Sequence, residues 1–95
     1  MNCENELTVD VTNIKTAYDL QLVLKEKLAF PNFYGENWDA FWDAITGPID
    51  MPEKLTLIGW AQLEKTLPRD ASIMKECLIE YNEYYPNSQC EYLFM

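Results

Sequence analysis

The spacing of apolar residues along the chain changes several times, and each change marks an element. Leu7, Val9 and Val11 alternate with Thr8 and Asp10, the two-residue period of a strand. Thr16 then opens a helix, capping its first turn while Asp19, three residues on, reaches back in a capping-box-like pairing. Leu20, Leu22, Val23 and Leu24 make this helix strongly apolar. Lys25 and Lys27 suit its negative C-terminal end, and Pro31 is expected to stop it. The aromatic connector PNFYGEN follows, with Gly35 free to adopt a backbone geometry that other residues resist. A short helix is predicted from about Asn37 to Thr46, ended by Gly47 and Pro48. Leu55 to Ile58 reads as a buried second strand, and Trp60 to Leu67 as a short helix closed before Pro68. Arg69 to Tyr84 makes a longer helix, with Ile73, Met74, Cys77, Leu78 and Tyr81 at helical spacing. Pro86 and Asn87 break it, and Tyr92 to Met95 forms a last strand.

The resulting order is β-α-α-β-α-α-β. Strands separated by helices imply right-handed crossovers, so the expected fold is α/β: a three-stranded parallel sheet packed with about four helices. The chain of 95 residues has no repeats and no linker long enough to divide it, so residues 1–95 are expected to form one domain with a modest core.

Charge narrows the partners. Seven basic residues against sixteen acidic ones give a net charge of −9. Direct binding of nucleic acid, which needs Lys and Arg to neutralise phosphates, is therefore not expected. An acidic surface points instead to a basic partner, whose encounter its field would speed. Histidine is absent, which removes Ser-His-Asp and Cys-His nucleophilic schemes and the usual His-containing zinc sites. Cys3, Cys77 and Cys90 show no C-x-x-C spacing and fit buried or idle thiols in a reducing cytosol. No cofactor, metal site or catalytic residue is expected. No apolar run reaches the roughly 20 residues of a membrane span, and no secretion signal is read at the N-terminus. A cytoplasmic protein, monomeric when free, is the expectation.

The carboxylates matter by position. At about 100° per residue, Trp38, Phe41 and Ile45 fall on one side of the short helix, with Ala44 beside them. Asp39, Asp43 and Thr46 fall on the opposite side, and Trp42 lies at the border. Two carboxylates four residues apart repel by a few tenths of a kcal/mol, and neither has Lys or Arg three or four positions away. The arrangement costs local stability, as surfaces shaped for binding do. Plain solvation of the two aspartates is the bland alternative. A glycosidase-like carboxylate pair and an acidic adaptor for basic proteins are the other readings. The enzyme reading needs a cleft rather than a convex helix face.

The segment FPNFYGENWDAFWDAITG closely resembles the signature of the barstar family, the intracellular inhibitors of secreted ribonucleases such as barnase. The preceding TAYDLQLVLKEKLAFP resembles the family's first helix, and the order of elements agrees over roughly residues 7–95. The resemblance is dense in 16–47 and diffuse afterwards. It implies inhibition of a basic ribonuclease or related toxin by occlusion, with an acidic helix entering the active site, and it includes immunity proteins. By motif position it implies that Asp43 is the dominant partner-binding carboxylate and Asp39 its partner one turn earlier. Phe33 takes the place of a family tyrosine. Asn37, Trp38, Ala40, Trp42, Thr46 and Gly47 match further interface positions, with Gly35 in the loop, and Glu80 matches a glutamate of the last helix. The chain departs from the family at Phe33, which lacks the tyrosine hydroxyl, at Pro48 in place of a tryptophan, and at Asp50 in place of a glutamate.

Overall fold

The computed structural model describes residues 6–47 and 51–95. Its elements are β1 (Glu6–Asp10), α1 (Ala17–Lys27), α2 (Trp38–Ile45), β2 (Lys54–Ile58), α3 (Trp60–Thr66), α4 (Pro68–Tyr84) and β3 (Glu91–Phe94). The expected order and the parallel three-stranded sheet are both present. Strand β2 lies in the centre, pairing Leu7 with Leu55 and Val9 with Leu57 on one side, and Leu55 with Tyr92 and Leu57 with Phe94 on the other.

Because side chains alternate along a strand, this register collects Leu7, Val9, Leu55, Leu57, Tyr92 and Phe94 on one face. Val9, Leu55 and Leu57 are fully buried there, against Leu20 and Leu24 of α1, Phe41 and Ile45 of α2, Leu63 of α3 and Met74 and Leu78 of α4 within one apolar cluster. The other face carries Thr8, exposed, Thr56, half-buried, and Ile58, exposed. The expectation of a buried second strand therefore holds for one face only: Leu55 and Leu57 point into the core, Thr56 and Ile58 away from it.

Local chemistry fixes the ends of the elements. Thr16 Oγ1 accepts the Asp19 N–H at 3.1 Å, the expected N-terminal cap of α1. At the other end the expectation needs correcting. Helix α1 stops before Pro31, because Ala29 takes a left-handed φ of 56°. The Phe30 N–H then reaches the Lys25 carbonyl at 2.9 Å and the Ala29 N–H the Glu26 carbonyl at 3.3 Å, a Schellman turn built without glycine. Gly59, which precedes α3, has φ 83°, and a Cβ there would stand 2.7 Å from Thr12 Cα. Glycine is required at that crossing of β2's exit with β1's exit. No helix among the described residues is long and apolar enough to cross a membrane.

Candidate functional site

The loop 31–37 is pinned from below. Tyr34 is buried, and its hydroxyl donates to Oε1 of Gln21, itself only 3% exposed. The same hydroxyl lies 3.4 Å from the Asn37 carbonyl. Burial, and then the charge of Glu36, push the Tyr34 phenol up from its ordinary range, so it stays a donor. Lys25 Nζ pairs with Glu36 at 3.3 Å, a second tie between α1 and the loop. Phe30 stacks beside Tyr34, with ring centroids 4.6 Å apart. The apolar reading of α1 thus changes by one step: Gln21 faces inward, where Tyr34 satisfies it, and Leu22 is 38% exposed.

Gly35 also differs from expectation. The left-handed residue of this loop is Glu36, at φ 54°. Gly35 serves by its size, since a Cβ would lie 3.3 Å from Asn37 Nδ2 and 3.4 Å from Ala40 Cβ. Asn37 caps α2: its Oδ1 accepts the Ala40 N–H at 2.7 Å and its Nδ2 donates to the Gly35 carbonyl at 3.1 Å. Above this framework Phe33 stands 85% exposed.

Helix α2 divides as its pattern predicts. Phe41, Ala44 and Ile45 are buried, whereas Asp39 and Asp43 are both exposed on the outward side. Among the described residues the ion pair is Lys25–Glu36, and neither aspartate has a cation partner. Asp39 sits in the first turn, where the helix dipole favours it; Asp43 lies beyond that help. A shallow groove of about 210 Å³ runs between loop and helix, lined by Pro31, Phe33, Tyr34, Gly35, Ala40, Asp43 and Ala44.

Several candidates turn out to be engaged inside the protein. Trp38 is half-buried, and its indole N–H donates to Asp70 of α4 at 2.9 Å. The Thr46 hydroxyl donates to the Trp42 carbonyl at 2.6 Å, and the Thr46 carbonyl accepts from the Tyr85 hydroxyl at 3.1 Å. Gly47 lets the chain leave α2, since a Cβ would meet the Asp43 carbonyl oxygen at 2.8 Å. Trp42 is half-buried and meets Tyr84 of α4 edge-on, centroids 5.4 Å apart at 84°. Pro48 and Asp50, two of the departures from the family pattern, lie outside the described residues.

Glu80 is exposed on α4. The Cys77 thiol is pushed up to about 11, first by burial and then by the charges of Glu80, Glu76 and Asp39. Carboxylates of α2 and α4 therefore act on one point. Cys77 and Cys90 are free thiols, while Cys3 lies outside the described residues. Among the described residues no group of three or more His, Cys, Asp or Glu is placed to hold a metal ion. The spacing of Tyr84 and Glu76 places them on α4, but nothing local to them signals the ring contact with Trp42 or the effect on Cys77 that Glu76 shares with Asp39.

Over 48 residues the chain is 48% identical to the protein named "Putative ribonuclease inhibitor YrdF" of Bacillus subtilis (strain 168). That stretch covers 50% of this chain and 50% of the relative, so the chain spans about half the length of the protein it matches. The family described as Barstar (barnase inhibitor) matches residues 4–94, which take in all three strands and all four helices, and the chain belongs to the barstar family.

Proposed function

We propose that this protein inhibits a basic, barnase-like ribonuclease by laying the outward side of α2 and the Phe33 loop over its active site. One observation carries the reading: Asp39 and Asp43 stand exposed on one helix side with no cation partner among the described residues. A ribonuclease must hold a phosphodiester, so its active site concentrates cationic donors. Carboxylates fixed on a helix satisfy the same donors, and charge-assisted hydrogen bonds to Arg are among the strongest available. The Gln21–Tyr34 and Asn37 bonds hold loop and helix in place beforehand, which lowers the ordering cost of binding. Opposite charges steer encounter, and such pairs associate at about 10⁸–10⁹ M⁻¹s⁻¹ at low salt.

The test uses barnase as the probe. Asp43→Ala is expected to weaken binding by at least about 2 kcal/mol, roughly 30-fold, the usual threshold for a hot spot. The same change relieves the Asp39–Asp43 repulsion and introduces a better helix former, so stability to urea should hold or rise by a few tenths of a kcal/mol. An unchanged dissociation constant would remove Asp43 from the centre of the interface.

The departure at Phe33 favours a second reading, in which the partner is another basic toxin. A partner captured by the wild type, lost on joint Asp39→Asn and Asp43→Asn substitution, and devoid of ribonuclease activity would decide for it.

A further inference from the structure

We infer that the cleft at the N-terminal ends of β2 and β3, beside the end of α4, binds a small organic polyamine. The cleft is separate from the outward side of α2, since Phe33, Asp39 and Asp43 do not line it. It does not depend on the ribonuclease reading.

The cleft holds about 710 Å³, within the about 300–1,000 Å³ that small-molecule sites occupy. Its walls are tied together. Asn82 meets both backbone groups of Cys90: its Nδ2 donates to the carbonyl and its Oδ1 accepts the N–H, each at 2.8 Å. The Glu91 N–H reaches the Glu53 carbonyl at 2.7 Å, and the Ser88 N–H the Tyr85 carbonyl at 2.9 Å. These bonds join α4, the turn that follows it and the starts of both strands. A cleft fixed in this way has little ordering left to lose when a ligand enters.

The lining selects a cation. Glu53 and Glu91 both line the cleft and are exposed, and neither has a cation partner among the described residues. No described residue of the lining is Lys or Arg. Tyr81 and Tyr85 form an aromatic wall, with ring centroids 5.0 Å apart at 39°. Ammonium groups are drawn both to aromatic faces and to carboxylates, and the side-chain amide oxygens of Asn87 and Gln89 add acceptors. Because the Glu53 and Glu91 backbones are hydrogen-bonded to each other, their charges lie within reach of one polycation. The methylene links of a polyamine can then lie along the tyrosine rings while its charged ends stay with the carboxylates. An anion would meet only repulsion here, and a neutral sugar would gain nothing from a net charge of −9.

Amide chemical shifts of the isotope-labelled protein, titrated with spermidine and in parallel with glucose, test the site. Spermidine should give saturable shifts confined to residues 51–53 and 85–91. Joint Glu53→Gln and Glu91→Gln substitution keeps the shape, removes both charges, and should weaken binding about 5- to 30-fold. Joint Glu26→Gln and Glu64→Gln substitution removes two exposed charges elsewhere and should bind within about twofold of wild type. Tyr85→Phe and Tyr85→Leu both lose the bond to Thr46, so the difference between them reads the ring alone. Tyr85→Leu should bind about 2- to 5-fold more weakly than Tyr85→Phe. Shifts spread over every acidic segment without saturation, or equal losses in the two carboxylate pairs, would reduce the effect to counterion attraction and overturn the site. An absence of shifts with spermidine would overturn it too, and saturation of the same amides by glucose alone would overturn the assignment to a cation.

Discussion

Residues 31–47 have two sides, and they treat polar groups in opposite ways. On the side turned toward α1, each polar group has its partner: Tyr34 with Gln21, Glu36 with Lys25, Asn37 with the first turn of α2. On the outward side, Asp39 and Asp43 have no cation partner among the described residues, and Phe33 is 85% exposed. The same short stretch of chain therefore pairs charge where pairing holds the loop and leaves it unpaired where it faces out. The contrast separates the groups that hold the loop from those that face outward along one short stretch of chain. Changes on the inner side should alter folding stability, and changes on the outer side should alter binding.

The largest expected effect on folding stability is that of alkaline pH, felt by Tyr34 of the inner side and by buried groups elsewhere in the core. Burial pushes Cys90 up to about 12 from an ordinary 9.0, and Cys77 up to about 11; Tyr34 and Tyr92 are raised as well, again chiefly by burial. A raised pKa means that the folded protein holds its proton more tightly than the unfolded chain. This contribution is complete below the ordinary pKa of each group and is lost as pH climbs toward the folded value. Urea midpoints should thus fall steadily from about pH 8.5 upward, and a flat profile to about pH 11 would contradict the burial of these groups.

Next in size is Tyr34→Phe. It leaves Gln21 Oε1 buried without its donor and should destabilise the protein by about 1–3 kcal/mol. Any effect on binding should come through the loop and appear as faster hydrogen exchange across 31–37. If stability is untouched, the two-sided contrast loses its inner half. Smaller again, and of opposite sign, Ala29→Gly should stabilise by about 1 kcal/mol, because the left-handed turn that ends α1 suits glycine. A loss there would mean that the turn is held in some other conformation in solution.

Much of this was legible in the sequence, and the exceptions have physical causes. The sides of α2 followed from the period of Phe41, Ala44 and Ile45, which fall on one side of an eight-residue helix and are buried together. The end of α1 was misassigned to Pro31, since a Schellman turn needs only one left-handed residue and alanine gives no hint that it accepts the strain. Leu22, counted among the apolar residues of α1, is 38% exposed, and the burial of Gln21 beside it depends on a hydroxyl thirteen residues away. The ring contact of Tyr84 gave no local signal for the same kind of reason: its partner Trp42 comes from another helix, and only the packing of α2 on α4 brings the two rings together.

The outer side is tested most directly by the salt dependence of association. Stopped-flow binding to barnase, for wild type and for the Asp39→Asn/Asp43→Asn double variant, compares the two aspartates with the other acidic residues of the chain. The wild-type rate should fall steeply between low and physiological ionic strength, as exposed charges are screened beyond about 8–10 Å. The double variant should start slower and fall less. Parallel salt profiles for the two proteins, at equal rates, would show that the outward aspartates do not draw the partner in.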